Sequence, residues 1–133
     1  MTTARSLIQG SLRLIRVVAD EETPTNSQMV DGLERMNEML HGLKAHNADI
    51  GYQDITLDDD IPLPPEHIRP VRYMLAVELA PEFSGNVTPE VAVEAKAGML
   101  TLQSAYRRIG KLRPDEGLEN RLTRHGYDID ADY

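Results

Sequence analysis

Three consecutive aspartates, Asp58-Asp59-Asp60, stand just before a proline-rich run and His67, in the stretch ITLDDDIPLPPEHIRP. Carboxylates and an imidazole at such close spacing are the raw material of a divalent-metal site, and Asp58, Asp60 and His67 could serve a metal-dependent hydrolase. The spacing argues against it. Side chains on an extended chain alternate sides, so consecutive aspartates do not converge on one ion unaided. A calcium loop needs spaced oxygens, a glycine and a later glutamate, and none is present. A solvated acidic turn is the favoured reading, and no metal or cofactor is expected. Asp128, Asp130 and Asp132 have better spacing, but only Tyr133 follows, so a charged terminus is expected there. The histidines, His41, His46, His67 and His125, include no HxxxH pair and no zinc-type spacing. No serine sits in a nucleophile elbow. Glu78 is the one acid expected in apolar surroundings. A catalytic role there is weighed against a buried salt bridge, for instance across an interface, and the salt bridge is favoured.

Two basic groups remain. Arg5, Arg13 and Arg16 form one stripe, and Arg107, Arg108, Lys111 and Arg113 form a cluster. Either could touch nucleic acid. The chain as a whole carries 14 basic and 22 acidic residues, a formal net charge of −8. Neutralising phosphates needs excess Lys and Arg, so pairing with acids of the same chain or of a neighbour is the favoured use of both groups. The 133 residues contain no cysteine, which excludes thiol catalysis, thiolate metal sites and disulfides. No apolar run approaches the roughly 20 residues of a membrane span, and Arg13 and Arg16 break the apolar part of the N-terminal stretch.

The elements that would hold these residues are helical. Ala4, Leu7, Ile8, Leu12, Ile15 and Val18 share one face, which predicts an amphipathic helix over residues 4–18 with the arginines outside. Thr25 to Gln28 fits a capping box. The helix after it should bury Met29, Leu33, Met36, Leu40 and Leu43, with Val30 beside them, and stop near His46 to Asn47. Residues 50–57 could hold one short strand or an extended arm. Pro65 is suited to start a helix, and Pro70 either kinks that helix or marks its true start. Residues 71–80 are apolar nearly all round, as in a helix buried on several sides, and Pro81 should end it at Ala80. Thr88-Pro89-Glu90 starts the last helix. Its inner row is Val91, Ala95, Gly98, Leu102, Ala105 and Ile109, and Gly110 closes it. The expectation is an all-α, four-helix bundle-like domain over residues 1–110, with an extended loop, and a C-terminal docking arm over residues 111–133.

Three pieces, GLERMNEMLHGL (32–43), DDDIPLPPE (58–66) and YMLAVELAPEFSGNVTPEVAVEAKAGML (73–100), occur in an order that resembles the head-to-tail connector proteins of tailed bacteriophages. The nearest likeness is to the tail accessory, or packaged-DNA-stabilisation, family. The resemblance covers residues 4–109. It implies a non-catalytic structural adaptor of the virion, at the head–tail junction, made in the host cytoplasm. Copies would form a ring with themselves, typically twelvefold, under the portal protein. The ring would extend the DNA channel, help retain packaged DNA and present a platform to a downstream tail or nozzle protein. DNA would pass without specific binding, and no membrane is involved. On this reading the portal-docking residues are Arg107, Arg108, Lys111, Leu112, Arg113, Leu118, Leu122 and Tyr127. The ring interface would use Arg5, Arg13, Arg16, Arg72 and Glu78. The alternatives are the hydrolase built on Asp58, Asp60 and His67, and a cytosolic helical partner-binding regulator.

Overall fold

The computed structural model describes residues 2–107. They form four helices: α1 (Ala4–Leu14), α2 (Asn26–Gly42), α3 (Pro65–Phe83) and α4 (Pro89–Tyr106). A 3-10 helical turn, Leu43–His46, extends α2. No strand occurs among the described residues. The all-α expectation holds, and residues 47–64 are the extended loop.

The first helix stops four residues earlier than its apolar row predicts. Ile15 caps it, and Arg16 takes a left-handed conformation at φ 60°. The N–H of Arg16 donates to the Arg13 carbonyl and that of Val17 to the Leu12 carbonyl, the pairing of a Schellman turn. Glycine usually marks that turn, and no glycine stands here. Ile15 and Val18 nevertheless stay buried, because the turn carries them back onto the core. The start of α2 follows its sequence signal. Thr25 Oγ1 accepts from the Gln28 N–H, and the Gln28 side chain accepts from the Thr25 N–H at 2.9 Å. The next turns bury Met29, Met36, Leu40 and Leu43. Asn47, left-handed at φ 64°, then ends the helical run.

Helix α3 is the centre of the domain. It packs on α1, α2 and α4, whereas α4 packs chiefly on α3. Val71, Met74, Leu75, Ala76, Leu79 and Ala80 are all buried. Both prolines lie inside α3. Pro70 sits within one continuous helix and so is not its true start. Pro81, expected to end the helix at Ala80, does not: the helix runs to Phe83. Proline removes the bond to the carbonyl four residues back and its ring crowds that carbonyl, a cost confined here to one site near the helix end. Phe83 packs partly against the core, and Ser84, left-handed at φ 53°, supplies the stop instead. Gly98 explains the close approach of α4. A side-chain carbon there would lie 3.0 Å from Pro70 Cα and 3.1 Å from its carbonyl oxygen. Gly32 plays the same part against Ile8 of α1, where an added carbon would come within 2.6 Å of Cγ2.

The extended loop is not a strand, but it is anchored. Ile50, Tyr52, Ile55 and Leu57 pack partly against the core, and Ile61 is buried. Tyr52 donates its hydroxyl to Asn37 Oδ1 of α2. The Asn37 amide donates in turn to the Ile55 carbonyl at 3.4 Å.

Candidate functional site

The aspartate run has a structural task that its composition does not reveal. The first amides of α1 have no partner within their own helix. The Ala4 N–H donates to the Asp59 carbonyl at 3.0 Å, and the Arg5 N–H to the Leu57 carbonyl at 2.9 Å. The Ile61 N–H donates to the Thr2 carbonyl at 2.9 Å, around an isolated antiparallel bridge between Thr3 and Asp60. Residues 57–61 thus lie along the N-terminus of α1, where carboxylates are electrostatically favoured. Asp59 Oδ2 accepts from the Thr56 N–H at 2.8 Å and holds the turn. Asp58 faces Arg5 at 3.4 Å, both well exposed. His67 is engaged elsewhere: its Nδ1 lies 3.0 Å from the Tyr106 hydroxyl, and the two rings meet edge-on. Asp58, Asp60 and His67 are therefore not brought together. Among the described residues no group of three or more His, Asp or Glu could hold a metal ion.

The arginines proposed for a ring interface divide. Arg5 faces Asp58, and Arg13 donates to the Glu22 carbonyl at 3.4 Å. Arg72 crosses from α3 over α1 at Gly10, where a side-chain carbon would come within 2.9 Å of its Nε. Just beside it, the buried Ser11 hydroxyl donates to the Arg72 carbonyl at 2.9 Å. Three of these residues thus contribute to folding within the chain. Arg16 is exposed, at the wall of an open groove of about 1050 Å³ that also takes in Arg13, Arg69 and the start of α4. Arg69 in that groove stacks over Tyr73 at 5.1 Å and pairs with Glu94 at 3.2 Å. Glu78 is exposed as well, not enclosed in apolar surroundings. It stands at the rim of a second groove. Arg107 is the last described residue and is exposed. Arg108, Lys111, Leu112, Arg113, Leu118, Leu122 and Tyr127 lie outside the described residues.

Two features of the described residues present apolar surface outward, and neither is marked in the sequence by residues of catalytic type. One is the outward side of α4. Val93 is 66% exposed and Leu100 61%, with exposed Ala97 between them. At helical spacing these three make one ridge. The other is the second groove, about 480 Å³, between α2 and α4. Val77 and Met74 of α3 form its floor, Met39 and Leu43 one wall, Ala95 and Met99 the other. The sequence did contain a signal: Val93, Ala97 and Leu100 lie opposite the inner row Val91, Ala95, Gly98 and Leu102, so α4 has no strongly polar side. Nothing in the arrangement resembles a reaction centre. It offers apolar, adaptable surface with charges at the margin, which is the chemistry of protein association. Among the described residues no helix is long and apolar enough to cross a membrane.

Comparison with curated proteins finds no match. Residues 1–114 match the family of the P22 tail accessory factor. That span takes in every helix described above and most of the sequence, so the chain belongs to the P22 tail accessory factor family and is a phage tail accessory protein.

Proposed function

We propose that the chain is a structural head-to-tail adaptor of the virion. Copies assemble as a ring under the portal, prolong the DNA channel, help retain the packaged genome and offer the next tail component its seat. Membership of the tail accessory family over residues 1–114 is the observation that carries this reading. The geometry is consistent with it. Asp58, Asp59 and His67 are engaged in a surface pair, a turn and a contact with Tyr106, while Val93 and Leu100 face outward. A net charge of −8 suits a wall past which DNA moves without sticking.

The portal contact is assigned to the segment after α4, through Arg107, Arg108, Lys111, Leu112, Arg113, Leu118, Leu122 and Tyr127. Leucines and a tyrosine supply anchors and the basic residues steer the encounter. Arg16 and Glu78, both exposed, remain proposed ring contacts. Arg5, Arg13 and Arg72 are assigned to the ring only in addition to their contacts within the chain.

The reading is tested by mixing the full chain with purified portal rings and following the complex by sedimentation. A saturable complex that weakens with added salt is expected. Failure of the full chain to bind portal at any salt concentration would remove the adaptor reading.

A further inference from the structure

The ridge and the groove described above share α4 and differ in shape. A ridge of Val93, Ala97 and Leu100 is convex and carries no charge. The groove is concave, floored by Val77 and Met74 and walled by Met39, Leu43, Ala95 and Met99. Methionine side chains adapt to an inserted surface more readily than branched ones do. Two charges stand at the margins. Lys96 lies on the shoulder of α4 between ridge and groove, and Glu78 on the α3 rim of the groove. Both are exposed, and neither has an ion pair among the described residues. Glu38 on the opposite rim is already paired with Arg35 at 2.7 Å.

We propose that the α4 ridge of one copy seats in the α2/α4 groove of the next, with Lys96 of the first facing Glu78 of the second. The proposal rests on the reading of the chain as an assembling adaptor and names the surfaces that would join its copies. The occupant is a second copy because each chain carries both halves of the match and, at the margins of ridge and groove, an unpaired charge of each sign among the described residues. The contact is head-to-tail because ridge and groove are different surfaces, and a head-to-tail contact closes into a ring when its rotation permits.

The absence of cysteine makes a direct test available in the full chain. Leu100→Cys and Val77→Cys are prepared singly and together, and treated with a short bismaleimide, both free at high concentration and bound to portal rings. The double variant should give a ladder of dimers, trimers and higher species, and each single variant no multimers. Charge reversal supplies the second arm. Glu78→Lys and Lys96→Glu should each raise the concentration needed for assembly by about tenfold or more. A one-to-one mixture of the two should restore assembly, because alternating copies regain an opposite pair at every junction. Dimers from Leu100→Cys alone would show a symmetric contact and overturn the proposal. No ladder from a double variant that still binds portal would overturn it too, and would leave the adaptor reading standing. An unsubstituted chain that never self-associates, free or on portal, is equally fatal to it.

Discussion

At the residue scale, the aspartates act through the backbone and through one local turn rather than through a shared ligand. Only Asp59 uses its side chain inside that turn, on the Thr56 N–H. Asp58→Asn with Asp60→Asn should leave thermal stability nearly unchanged, because exposed pairs contribute little. Calorimetry with calcium, magnesium and manganese should show no specific site in the parent. A micromolar site that the double variant loses would contradict this reading. Tyr52 gives a second prediction. Burial, aided by the nearby Asp54 carboxylate, pushes its phenol up to about 12. The folded state then holds this proton more tightly than the unfolded chain, whose phenol titrates near 10. The stabilisation is complete below about pH 10 and is lost as pH rises toward 12. Tyr52→Phe should flatten that part of a stability-against-pH curve, measured by urea unfolding. An unchanged slope would mean that Tyr52 is not the group responsible. Neither role was legible in the sequence. The aspartate run meets α1 across more than fifty residues, and the Tyr52–Asn37 bond joins a loop to a helix fifteen residues earlier. Spacing along a chain reports local neighbours, not those encounters.

At the scale of elements, sequence signals that act within one or two turns were legible, and those that depend on packing were not. The capping box at Thr25 and the Thr88-Pro89 start of α4 appear where the sequence places them. Pro81 does not end α3, because core contacts of Leu79, Ala80 and Phe83 hold the last turn in place. Arg16 ends α1 with no glycine to announce it. Leu75 and Leu79 lie in the stretch that is apolar nearly all round, and both are fully buried. Leu75→Ala should cost about 2–5 kcal/mol in chemical denaturation. A variant unfolding at the parent's midpoint would mean that α3 does not occupy the centre. Two glycines make a sharper pair. Gly98→Ala forces a carbon against the Pro70 backbone, which cannot rotate away, and should cost about 1–3 kcal/mol. Gly42 is helical with nothing within 4 Å of an added carbon, so Gly42→Ala should gain about 0.4–1 kcal/mol. Equal effects at the two sites would refute the close α3–α4 packing.

At the scale of the whole molecule, we propose a division of labour, with folding in residues 1–110 and docking in residues 111–133. The apolar ridge on α4 was not read, because an exposed valine or leucine cannot be told from a buried one until the neighbouring helices are placed. Glu78 was placed in apolar surroundings for the same reason. A chain ending at Gly110 should keep its helical circular dichroism and most of its thermal stability, yet lose binding to portal rings. Unfolding of the shortened chain would assign residues 111–133 to the core, and undiminished portal binding would move the docking contact elsewhere.

The central claim, that the chain joins head to tail, is tested most directly on particles assembled in cells where the phage lacks a functional copy of its gene. Electron microscopy and a nuclease-protection measurement of packaged DNA on those particles should show heads without tails and with DNA lost from the portal end, both restored when the chain is supplied from a plasmid. Tailed particles retaining their genome in its absence would contradict the account.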